Sequence, residues 1–81
     1  MNDSRDGEIF SYTRSWVEIE ELLQEAEQEQ NKHYMRMQRG EKSSRLYHMR
    51  NYKALQGVVN SLRWVLGDLK MTRKVVLGRD D

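Results

Sequence analysis

Residues 15–26 read Ser15-Trp16-Val17-Glu18-Ile19-Glu20-Glu21-Leu22-Leu23-Gln24-Glu25-Ala26. Ser15 stands three positions before Glu18, so its hydroxyl can cap a free helix amide while the Glu18 carboxylate reaches back to the Ser15 amide. This predicts a helix beginning at Trp16. From there Trp16, Ile19, Leu23, Ala26, Gln30, His33 and Met37 recur at spacings of 3, 4, 3, 4, 3 and 4, which lines them along one helical seam. Gly40 is the natural stop.

Beyond Gly40, Ser43 or Ser44 can cap a second helix. Its seam is His48, Tyr52, Leu55, Val59, Leu62, Leu66 and Leu69, at spacings of 4, 3, 4, 3, 4 and 3, with an end expected near Met71. The two seams match when residues whose numbers add to 85 are paired across a turn at 40–44: 16 with 69, 19 with 66, 23 with 62, 26 with 59, 30 with 55, 33 with 52 and 37 with 48. Two independent patterns that agree on one register predict an all-α, antiparallel two-helix hairpin over about 16–39 and 44–71. Its layers turn from aliphatic at the base to polar at the tip.

Composition supports this class. Proline and cysteine are absent, and one third of the 81 residues are charged, as in long helices rinsed by solvent. A domain this small buries only about 60% of the surface its unfolded chain exposes, and without cysteine no disulfide can staple it. Assembly into a four-helix bundle or larger homo-oligomer is therefore expected, a homodimer being the simplest.

A second stripe on helix 2, Ala54, Gly57, Ser61, Trp64, Asp68 and Met71, lies roughly opposite the seam. Glycine within a helix costs about 1 kcal/mol relative to alanine, so Gly57 and Gly67 suggest close approach by another backbone, with Trp64 as anchor. The alternative is an exposed tryptophan lying over glycines. Leu22, Val58 and Val65 flank the seam and widen the apolar face. The expected partner or oligomer contact is thus Ala54, Gly57, Ser61, Trp64 and Met71 with Val58 and Val65. Glu8-Ile9-Phe10-Ser11-Tyr12 and Lys74-Val75-Val76-Leu77 are short apolar runs that a hairpin would bring to one end, either as two short β-strands or as fraying parts of less ordered tails at 1–11 and 73–81.

Charge is segregated beneath a formal net charge of +1. Residues 18–29 hold six glutamates and no basic residue, whereas residues 32–53 hold Lys32, Arg36, Arg39, Lys42, Arg45, Arg50 and Lys53 against Glu41 alone. A basic tip interleaved with Tyr34, Tyr47, Tyr52 and His48 can neutralise phosphates and stack on bases, so nucleic acid is one candidate partner, with Tyr47 among the contacts. The same polarity also suits an acidic protein surface or a second copy of the chain.

Signatures of catalysis are missing: there is no glycine-rich phosphate loop, nucleophile elbow or two-histidine zinc helix. His33 and His48 fall in adjacent layers, close enough to consider a shared metal or a pH switch, but no carboxylate or cysteine completes a ligand set. A polar-seam histidine can equally hydrogen-bond Tyr52 or water. The glutamates of helix 1 form a solubilising face without a cleft. The expectation is a non-enzyme without metal or cofactor. No apolar run approaches the roughly 20 residues a membrane span needs, Asn2-Asp3-Ser4 is a chance sequon, and residues 1–6 lack the order of a secretory signal. A cytoplasmic protein is expected.

The stretch Tyr52-Lys53-Ala54-Leu55-Gln56-Gly57-Val58-Val59-Asn60-Ser61-Leu62-Arg63-Trp64-Val65-Leu66-Gly67, on a short cysteine-free chain, resembles the compact helical accessory proteins of bacteriophages. The resemblance covers about a fifth of the chain and carries no functional residues over. It implies a location in the host cytoplasm and one of several tasks: inhibiting or redirecting a host protein, regulating transcription, or serving DNA packaging or virion assembly. Together these readings predict a small module that self-associates and binds a protein partner, with nucleic-acid binding through the tip as the alternative.

Overall fold

The computed structural model describes residues 13–40 and 42–79. Two long helices, α1 (Trp16–Arg39) and α2 (Lys42–Val65), pack against each other as a hairpin, and a short helix, α3 (Arg73–Val76), follows. No strand occurs among the described residues.

The start of α1 is the predicted capping box. Ser15 Oγ accepts from the Glu18 amide at 3.1 Å, and the Ser15 amide donates to Glu18 Oε1 at 3.0 Å. Two of the otherwise unpaired donors at a helix start are thereby satisfied. At the other end the Gly40 amide donates to Arg36 O. Gly40 has an ordinary extended backbone (φ −75°), so it is needed for space: a Cβ there would sit 2.5 Å from Arg36 O and 3.1 Å from Ser44 Oγ.

The turn is tighter than the serines suggested. α2 starts at Lys42, with Ser43 and Ser44 inside its first turn; the position before it, Glu41, lies outside the described residues. The seams themselves are as expected from Ile19 to Leu66. Ile19, Leu23, Gln30, His33 and Met37 on α1, and His48, Tyr52, Leu55, Leu62 and Leu66 on α2, are half-buried. Ala26 and Val59, paired by the sum of 85, are the buried residues at the centre, 5% and 3% exposed.

Three expectations fail at the ends. α2 stops at Val65 rather than near Met71, because Gly67 takes a left-handed backbone (φ 90°). The Asp68 amide then donates to Arg63 O and the Gly67 amide to Trp64 O, the paired bonds of a Schellman ending. The proposed layer of Trp16 with Leu69 consequently does not form: Leu69 is thrown clear of the seam at 95% exposed, and Trp16 is 63% exposed. Finally, Lys74-Val75-Val76-Leu77 is not a strand. Thr72 Oγ1 accepts from the Val75 amide at 3.2 Å and starts α3, and Gly78 (φ 69°) ends it. The other half of the suggested ribbon, Glu8 to Tyr12, lies outside the described residues.

Candidate functional site

At the tip, His33 and His48 meet across the hairpin with Nδ1 atoms 2.9 Å apart, one ring donating and the other accepting. The sum of 85 set His33 opposite Tyr52. The shorter turn instead brings earlier residues of α2 alongside it, and Tyr47 stands edge-on to both imidazoles, its ring 6.0 Å from His33 and 5.0 Å from His48. Desolvation within the seam lowers the His48 pKa from the usual 6.5, and the adjacent His33 and Arg36 add to the effect. Among the described residues no cluster of three metal-ligating side chains exists.

One side of the hairpin is a polar ladder. Gln30 Nε2 donates to Gln56 Oε1 at 2.6 Å, and Gln56 Nε2 donates to Asn60 Oδ1 at 2.8 Å. Below them Arg63 forms an ion pair with Glu27, its Nε buried without a partner. Above them the rings of Tyr34 and Tyr52 lie 5.9 Å apart, tilted at 43°. Sequence reading missed Glu27, Gln56, Asn60 and Arg63. The available signal was Gln30 at a seam position, since a polar side chain there must find polar company on the facing helix.

The opposite side is apolar toward the base. Leu22, Ile19 and Leu62 line a shallow hollow with Glu18 and Arg14. The next outward positions on α2, Val58 and Val65, are exposed.

The expected contact residues are therefore split. Ala54, Gly57 and Ser61 lie exposed on α2, with Ser61 Oγ donating to Gly57 O at 2.9 Å. A Cβ at Gly57 would meet nothing within 4 Å, so none of the described residues makes the close approach that the glycine suggested. Trp64 shares an apolar hollow with Arg73, Val76 and Leu77 of the C-terminal segment, while remaining 44% exposed. Met71 is half-buried. Val58 and Val65 belong instead to the Leu22 side.

All seven basic residues of the tip, Lys32, Arg36, Arg39, Lys42, Arg45, Arg50 and Lys53, are exposed, as is Tyr47. Of the seven, Lys32 alone forms an ion pair among the described residues, with Glu29 at 3.1 Å. No helix of the described residues is long and apolar enough to cross a membrane. The chain matches no known protein family, and neither the curated proteins nor the solved structures contain a match to it.

Proposed function

We propose that this chain is a protein-binding module that acts by self-association and by docking onto a protein partner. What carries this reading is the thinness of the core: among the described residues Ala26 and Val59 are the buried hydrophobics, while Leu22, Val58, Trp64 and Val65 remain 40–49% exposed. Fully burying such a side chain from water is worth about 1.5–3 kcal/mol, and a lone hairpin leaves a little under half of that gain unused at each. Redirecting a host protein, one task implied by the phage resemblance of residues 52–67, is work of this kind. Sedimentation across a wide concentration range tests the self-association. A mass that rises to a multimer supports it, and a monomer at every concentration overturns it.

A second reading, nucleic-acid binding, draws on the exposed cations of the tip beside Tyr47. Phosphate contacts make log affinity fall linearly with log salt. Binding of generic DNA or RNA with that slope, lost in Arg39→Glu plus Arg45→Glu, supports it; no binding at low salt removes it.

A further inference from the structure

The surface of α1 outside the seam carries an ordered charge pattern. Glu18, Leu22, Glu25, Glu29, Lys32 and Arg36 follow one another at steps of 4, 3, 4, 3 and 4, which keeps them on one stripe. All are exposed. Its first half is acidic and its second half basic, with the change between Glu29 and Lys32. The helix dipole favours acids at the start and bases at the end, but that effect dies within the first and last turn. It accounts for Glu18 and Arg36, and not for Glu25, Glu29 and Lys32 in the middle of a 24-residue helix.

A stripe of this kind is complementary to itself when reversed. We propose that a second copy of this chain docks antiparallel on this side of the hairpin, about a two-fold axis, so that the acidic half of each α1 lies along the basic half of the other. The proposal rests on the self-association reading and adds the face and the direction. Pairing residues whose numbers add to 61 sets Glu25 beside the partner subunit's Arg36, and brings the Glu29–Lys32 pair already formed in each chain against its copy, acid to base, as a four-charge cluster. Two-fold symmetry makes each contact twice. A parallel arrangement in register would set acid against acid.

The same side supplies the apolar area. Arg63 and Gln56 lie on the flank that meets Glu27 and Gln30, and Val58 and Val65, two positions beyond them and so about 200° around α2, fall on the other flank, where Glu18 and Leu22 of the stripe line a hollow with Leu62. In this register residues 22–39 of α1 overlap their counterparts, about 27 Å at 1.5 Å per residue. A face two helices wide, with axes about 9 Å apart, offers roughly 500 Å² per copy over that length. That is roughly 1,000 Å² in total, the size of a weak, reversible interface. On the opposite side Glu27 pairs with Arg63, and Gln30, Gln56 and Asn60 bond in a ladder within one chain.

Charge reversal tests the geometry. Glu25→Arg and Arg36→Glu change exposed helix positions, and circular dichroism should show both hairpins intact. Each alone sets like charges together twice, and should weaken self-association by roughly tenfold or more in sedimentation at low salt. An equimolar mixture of the two variants should recover it, since position 25 of one then meets position 36 of the other with opposite charge. A wild-type chain that stays monomeric overturns the proposal together with the self-association reading. If the wild type associates and both variants associate as tightly, the antiparallel face falls while self-association stands. Open-ended growth in place of a closed dimer also overturns the two-fold arrangement.

Discussion

His33 and His48 share a single contact, Nδ1 to Nδ1 at 2.9 Å, that requires a lone pair on one ring. Adding a proton to His48 places a cation in the desolvated seam, beside His33 and Arg36, in keeping with a folded pKa below the usual 6.5. Below 6.5 the unfolded chain then binds more protons than the folded one, so stability is complete above that value and declines as pH falls through it. Thermal melts at about pH 7.5 and about pH 5.5 should show a loss in the wild type that is smaller in His48→Gln. An identical loss in both would place the pH dependence elsewhere.

The glycines should respond in opposite directions. Gly40→Ala places a methyl group 2.5 Å from Arg36 O, so the turn must shift, at a cost of about 1–3 kcal/mol. At Gly57 the space is open, and alanine should stabilise the hairpin by about 0.5–1 kcal/mol. Urea denaturation of both variants checks the pair. If Gly57→Ala instead loosens the assembled state alone, a partner backbone does come close there.

Val59, 3% exposed, and Ala26, 5% exposed, are the buried hydrophobics among the described residues. Val59→Ala should cost about 1–2 kcal/mol by lost burial and the cavity left behind. Ala26→Leu should also destabilise, by about 1–3 kcal/mol, because the layer has no room for the added carbons. Chemical denaturation measures both, and a neutral Ala26→Leu would mean that the layer is looser than its burial indicates.

The Glu27–Arg63 pair is only half withdrawn from water, with side chains 40% and 43% exposed. Solvent screening holds its contribution to about 0.5–1 kcal/mol. Glu27→Gln should lose that much in urea, more at low salt than at high. Salt-independent loss would assign the effect to packing of the Arg63 stem.

How much of this was legible before the structure varied along the chain. The seam faces from Ile19 to Leu66 were readable because a seam at 3 and 4 spacing leaves no other face on which to bury Leu23, Val59 or Leu62. The base was misread because periodicity continues through Leu69 whether or not the backbone does. Gly67, with a left-handed φ that any other residue adopts at a cost, overrides it. The His33–His48 contact was within reach only as a neighbouring layer, since its partner choice depended on a second helix that begins at Lys42, ahead of both serines. For the candidate surfaces, the sequence located the basic tip and named Val58 and Val65, but grouped those valines with Trp64, which the C-terminal turn partly covers.

The sequence by itself determined the hairpin, its seam and the polarity of charge along α1, because these follow from local spacing and from which side chains avoid water. Only the tertiary structure decided which flank of α1 faces which flank of α2. That choice joined Glu27 to Arg63 on one side and Leu22 to Leu62 on the other, giving the hairpin one polar side and one with exposed apolar side chains toward the base. Helical periodicity gives the angle of each side chain about its own axis, but the pairing of flanks is fixed only when the turn sets one helix beside the other.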